Sequence, residues 1–366
     1  MNRFGQPERS VSVAVWLFLV AGLVFGIVIV GGLTRLTGSG LSITEWMPLV
    51  GMIPPLSEAD WQEAFEKYRA IPQYQLVNAG MSMAEFQAIY WWEWIHRQLG
   101  RFIGMAVALP FFVFLAARHM DWLRRRGIPA LPGRLVWRGW ALVMMVGLQG
   151  AVGWWMVSSG LEARVDVAPE RLAFHLGLAL LIFSALIWTG LEALNGPERS
   201  ESPSGWTVGA SLLLGLVFVQ CLLGALVAGG KAGMVYTDWP LMNGAFLAPV
   251  DWGQGALAFL HDQALTQFNH RMTAYSLMLA VVIYAVQAWR WRLAEGAGAS
   301  AWVVLAAVMM QAGLGIATLM QAVPVWLGVL HQAGAAVVLA AATVNLWLVM
   351  RSRPRRFIAG PRSMGL

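Results

Sequence analysis

Apolar residues in this chain run in long, nearly unbroken stretches separated by short polar ones. A helix needs about 20 such residues to cross roughly 30 Å of hydrocarbon at about 1.5 Å per residue. Eight stretches qualify, at about 11–32, 97–117, 136–157, 172–193, 207–229, 270–289, 301–321 and 325–349. Only the Gln321–Pro324 turn separates the last two, which predicts a tight hairpin. The first stretch follows Arg3 and Arg9 and is longer than the apolar part of a signal peptide, so it is expected to stay as a span. The pattern predicts an all-α membrane protein with eight transmembrane helices.

The polar stretches are uneven. A long outer loop, about 33–92, carries Pro48, Pro54 and Pro55. Its Leu56–Arg69 segment mixes acidic and aromatic residues and predicts an amphipathic helix lying at the membrane surface. A second long outer loop covers about 230–265. Pro, Ser and Glu crowd Asn195–Gly205, as in a linker. That places a division between an N-terminal half, 1–196, and a C-terminal half, 197–366.

Composition agrees with the pattern. Of 366 residues, 58% are apolar and 12% charged, against about 45–50% and 25% in soluble domains. A net charge of +6 suits nucleic-acid binding only if the cations form one surface. Here they cluster between spans, as in Arg124, Arg125 and Arg126 or Arg351, Arg353, Arg355 and Arg356, so no nucleic-acid partner is expected. Most of them share a side with the chain ends, which predicts both termini in the cytoplasm. The single cysteine, Cys221, excludes an internal disulfide, a CxxC pair and covalent haem attachment through CxxCH. Set in an apolar run, it is expected to pack as a small hydrophobe.

The chain repeats itself. Thr44-Glu45-Trp46 after the first span answers Thr237-Asp238-Trp239 after the fifth. His96-Arg97 answers His270-Arg271, Gln149–Gly153 answers Gln311–Gly315, and His175 answers His331. The offsets shrink along the chain because the later loops are shorter. Two pseudo-symmetric four-helix bundles are therefore expected.

Four of the six histidines stand at these equivalent places, near the outer ends of even-numbered spans. Histidine inside a span is rare and usually functional. Imidazoles on two facing helices can clamp a metal or a haem iron. Zinc prefers three or four ligands and each half offers two histidines, so bis-histidine haem fits better. Interhelical hydrogen bonding is the structural alternative. Small residues one turn apart, Gly100 and Gly104 after His96, leave room either for a porphyrin or for close helix packing. Arg97 and Arg271 could pair with haem propionates or reach for the interface. His119 is expected at the interface, and His261 has no counterpart in the first half.

One difference between the halves stands out. Glu93 lies three residues before His96, and Gln267 three before His270. Positions three apart share a helix face. Only the first half therefore sets a carboxylate beside its histidine, where it could act as a base or stabilise positive charge. Trp91, Trp92 and Trp94 around it are equally those of an interfacial belt.

These residues resemble the haem A synthase family, through GGLTRLTGSGLSITEW (31–46), Glu93-x-x-His96-Arg97, His175, QFNHR ending at Arg271, and His331. The resemblance covers about 11–350. It implies oxidation of a methyl substituent of haem O to a formyl group, giving haem A for cytochrome oxidase. It implies that His270 and His331 ligate a resident haem b, that His96 and His175 hold the substrate haem, and that Glu93 is the catalytic carboxylate. Some members carry cysteine pairs in their outer loops. This chain has none, like the alphaproteobacterial and mitochondrial branch. The bacterial inner membrane is the expected location, with haem sites toward the periplasm. Expected partners are haem O and haem A, haem O synthase, oxidase assembly factors, an electron acceptor and membrane lipid. A non-catalytic dihaem cytochrome and a haem carrier are the alternative functions.

Overall fold

The computed structural model describes residues 9–48, 50–196, 205–293 and 295–352. Arg3, most of the predicted linker, and Arg353, Arg355 and Arg356 lie outside the described residues. The described chain forms twelve α-helices and no strand. They are α1 (Val11–Leu36), α2 (Glu58–Arg69), α3 (Pro72–Leu76), α4 (Met83–His119), α5 (Asp121–Arg125), α6 (Val136–Ser158), α7 (Pro169–Asn195), α8 (Gly205–Gly229), α9 (Ala258–His261), α10 (Gln263–Arg290), α11 (Glu295–Met320) and α12 (Val325–Arg351). Eight are long and apolar enough to cross a membrane: α1, α4, α6, α7, α8, α10, α11 and α12.

Helix ends follow local chemistry. Ser82 and Glu85 form a reciprocal capping box at the start of α4. Asp262 caps α10 by accepting the Leu265 N–H at 2.8 Å. Pro169 opens α7, and Pro324 immediately precedes α12. The α11–α12 hairpin turns through Ala322 and Val323, both at positive φ (57° and 58°). That strain is tolerated because the Val323 N–H donates to the Thr318 carbonyl at 2.9 Å.

Three helices, α4, α10 and α11, start six or more residues earlier than hydropathy suggests. α4 begins at Met83 rather than near 97, and its 37 residues measure about 55 Å, well beyond a bilayer core. The extra turns carry Phe86 and Tyr90 outward, and α2 packs onto them. Leu41, Phe65, Tyr68, Phe86 and Val157 form a separate apolar cluster there. The expectation that Leu56–Arg69 lies on the membrane is therefore corrected. α2 is amphipathic and sits in the outer loop, but its apolar face, Phe65 and Tyr68, is covered by protein.

The spans close into two rings. α1, α4, α6 and α7 touch in that cyclic order, and so do α8, α10, α11 and α12. The rings join through α1 with α12, α7 with α8, and α7 with α12. Leu17, Val20, Leu186, Leu213 and Leu339 fill this shared centre. Every span also turns large apolar side chains outward, such as Leu19, Leu109, Leu212, Leu279 and Met310. An uncovered apolar belt on every side is what a lipid-facing surface requires.

At one end of the bundle, Glu192 of α7 is buried and pairs with Arg138 at 2.5 Å and Arg134 at 3.3 Å. The Ser10 N–H donates to the Ala193 carbonyl at 2.9 Å. Arg351 donates to the Gly196 carbonyl at 3.0 Å. The start of α1 and the end of α12 thus meet at the same end of α7.

A candidate site of four glycine-backed histidines

In each ring the histidines stand on the second and fourth helices, which are diagonal to one another. His96 is on α4 and His175 on α7, while His270 is on α10 and His331 on α12. His175, His270 and His331 enter six or seven residues after their helices begin, about two turns in. His96 lies thirteen residues along α4, because that helix starts farther out.

Every imidazole rests on a glycine of the preceding span. A Cβ added at Gly31 would lie 3.0 Å from His96 Cε1, and one at Gly153 would lie 3.0 Å from His175 Cε1. At Gly224 it would lie 3.1 Å from His270, and at Gly315 it would lie 2.7 Å from His331. Only glycine lets the ring approach so closely. The unit that repeats is therefore a two-helix hairpin, a glycine helix followed by a histidine helix, used four times.

A glutamine one turn before the glycine holds three of the rings. Gln149 Nε2 donates to the His175 carbonyl at 3.0 Å and lies 3.2 Å from its Nδ1. Gln220 does the same to His270 at 3.0 and 3.1 Å, and Gln311 to His331 at 2.7 and 3.0 Å. The sequence motif Gln149–Gly153 and Gln311–Gly315 contained this tether, although spacing alone suggested only room for a cofactor. Gln220 and Gly224 are the pair that the repeat between the halves does not mark. The signal was there, since Gln-x-x-x-Gly recurs in α6, α8 and α11.

The arginines next to the histidines grip the loops beyond them. Arg97 Nη1 donates to the Glu45 carbonyl at 2.9 Å, and Nη2 to the Ile43 carbonyl at 2.7 Å. Arg271 donates to the carbonyls of Leu241 at 2.8 Å and Asp238 at 3.0 Å. This explains why both halves carry the Thr-acid-Trp motif and the His-Arg pair together: the second clamps the first. In the outer loop, the Asn243 and Gly244 N–H groups donate to Asp238 and hold its carboxyl below the usual carboxylate range.

Each clamp has a partner one turn earlier. Glu93 is 2% exposed and accepts from Arg97 Nη2 at 2.7 Å and Nε at 3.1 Å. It also accepts from Ser42 Oγ at 2.8 Å and the Ile43 N–H at 2.9 Å. Gln267 takes the equivalent place, accepting from Arg271 at 3.1 Å and donating to the Tyr236 carbonyl at 3.0 Å. The two halves share one scaffold and differ by a charge. His261 approaches Glu170 at 3.1 Å, and Lys231 pairs with Asp166 at 2.6 Å, so both tie the second outer loop to the first half. His119 ends α4, far along that helix from His96.

Among the described residues, no three His, Cys, Asp or Glu side chains gather as metal ligands. The two imidazoles that each ring offers would suit the iron of a haem better than a zinc ion, which takes three or four ligands. Buried polar atoms at the sites lack partners, namely His96 Nδ1, Gln149 Oε1 and Gln220 Oε1. A Cβ at Gly104 would meet nothing within 4 Å, which leaves open space one turn beyond Gly100. These features suit a bound tetrapyrrole.

The chain matches the family model described as cytochrome oxidase assembly protein, COX15-CtaA, over residues 14–343. A relative named Heme A synthase from Caulobacter vibrioides is 55% identical over 354 residues, covering 96% of this chain and 100% of the relative. One of the same name from Parvibaculum lavamentivorans is 48% identical, covering 93% of this chain and 94% of the relative. Another, from a Bradyrhizobium species, is 46% identical, covering 96% and 95%.

Proposed function

This chain belongs to the COX15-CtaA family of cytochrome oxidase assembly proteins, and from that premise we propose that it is a haem A synthase. The reaction is a four-electron oxidation of a haem O methyl group to a formyl group, by two hydroxylations and loss of water. The observation that carries this reading is the repeated imidazole pair with a buried carboxylate beside only one of them.

In this reading His270 and His331 hold a resident haem b, each ring seated on its glycine and tethered by its glutamine. A haem bound there supplies one-electron transfer. His96 and His175 hold the substrate haem in the first ring, across from one another. Glu93 lies about one turn from His96. Its carboxylate already receives four hydrogen bonds, two of them from Arg97. A carboxylate so occupied is held in one orientation by Arg97, Ser42 and the Ile43 N–H, and would serve as a fixed group that stabilises developing charge in the first ring, rather than as a free base. Arg97 and Arg271 close the outer loops over the sites, and their donors are largely committed to loop carbonyls. The 1–196 half is thus the reaction half and 197–366 the electron-relay half.

The protein lies in the bacterial inner membrane with both termini in the cytoplasm and both haem sites toward the periplasm. Its partners are haem O and haem A, a haem O synthase and oxidase assembly factors, lipid, and an external electron acceptor. Chromatography of haems extracted from the purified protein, made in cells that also make haem O, tests the reading. Haem B together with haem O, haem A or a hydroxylated intermediate supports it. Haem B alone at two per chain, unchanged by Glu93→Gln, shows an electron-carrying cytochrome instead.

A further inference from the structure

The four hairpins are alike in the glycine under the ring and unlike in what holds the ring's other edge. Gln149, Gln220 and Gln311 stand one turn before Gly153, Gly224 and Gly315. One turn before Gly31 stands Ile27. Ile27 has no polar atom to offer, and its Cδ1 would lie 3.6 Å from a Cβ at Gly100, on the turn after His96. His96 Nδ1 is buried without a hydrogen-bond partner. So both rings of the second pair are tethered, while in the first pair His175 is tethered and His96 is not.

We propose that Ile27 makes His96 the exchangeable iron ligand, so that substrate haem enters and product haem leaves on the α4 side of the first ring. The inference rests on the haem reading above and goes beyond it. A ligating imidazole binds iron more firmly when a neighbouring side chain fixes the orientation of its ring. The glutamine amide is already anchored on the histidine's own carbonyl and lies within reach of Nδ1. Its nitrogen lies against the ring as well, 3.2 and 3.3 Å from the two ring nitrogens of His175, so the glutamine fixes where that imidazole stands, whereas Ile27 offers His96 no such hold. Losing such a partner typically weakens metal binding by about 10–100-fold. A resident cofactor needs two firm ligands, whereas a substrate that must depart as product needs one weak one. The chain has this arrangement in the ring that carries Glu93.

The test is haem transfer from the purified, haem-loaded protein to excess apomyoglobin, with the remaining haems identified chromatographically over time. The wild type should lose haem O and haem A at least about 10-fold faster than haem B. Ile27→Gln should slow that loss by about 10–100-fold and leave haem B retention unchanged. Gln311→Leu, which unties a ring of the other pair, should speed haem B loss by a similar factor. If Ile27→Gln does not fold, Ile27→Asn, which brings a shorter amide to the same place, takes its part, and Gln311→Leu remains the control at the resident site. Unchanged release in the folded variants overturns the inference while leaving the haem sites in place. Unchanged contents of both haems in His96→Ala would instead overturn the haem reading.

Discussion

A missing side chain decides how closely each imidazole can meet the helix behind it. The Gly315 position is the tightest, with a Cβ there only 2.7 Å from His331. Gly315→Ala should therefore displace the ring and remove most of the resident low-spin haem absorbance. Gly313→Ala, where a Cβ meets nothing within 4 Å, should leave that spectrum intact. Glu93→Gln copies what the second half already contains, since Gln267 also receives its arginine. The clamp and the haem content should survive, while haem A formation falls by about 10²–10³-fold, read by extraction and chromatography. Part of this was legible beforehand. The histidines and the Glu93/Gln267 contrast stand out in the sequence because they sit at repeat-related places. Ser42, which donates to Glu93 from 51 residues away, could not be found by spacing. Ile27 was invisible for another reason: one isoleucine among many in an apolar span acquires meaning only beside three glutamines.

The elements show where hydropathy misleads. α4 was expected to begin near its histidine, because the preceding turns mix tryptophan with glutamate and glutamine. Those turns are helical because Ser82 caps them and Phe86 and Tyr90 pack against α2. Tertiary contact, which a membrane-length criterion does not include, extends the helix beyond the bilayer. Phe86 is fully buried and sits among Phe65, Tyr68 and Trp61. Phe86→Ala should cost about 3–5 kcal/mol in this outer cluster. Limited proteolysis should then cut within 50–80 faster than in the wild type, with cleavage between the later spans unchanged. α10 repeats the lesson on a smaller scale, starting seven residues early at its Asp262 cap.

At the scale of the whole molecule, the repeat announced two equivalent halves but not how helices would be arranged within them. Ring order comes from packing. Its outcome is that each histidine pair belongs to one ring, while α1, α7, α8 and α12 form the seam. The seam is close enough for Gln332 Nε2 to reach the Val28 carbonyl at 2.6 Å, beside Gly32. At the far end, Glu192 is buried between two arginines. Glu192→Leu would leave those cations without their partner, at a cost of about 3–5 kcal/mol. Thermal unfolding should shift down, while the haem spectra before unfolding stay unchanged, since this cluster lies at the opposite end of α7 from His175. The clamps at the histidine end have a consequence of a different kind. Arg97 and Arg271 hold their loops almost wholly by main-chain oxygens, so they read the course of the backbone and not its spelling. Side chains at the gripped positions themselves, such as Ile43 and Leu241, can then be rewritten, over generations or at the bench, without costing either arginine its grip. The outer-loop surface around the two arginines is where this molecule is free to acquire new acquaintances while its interior stays the same.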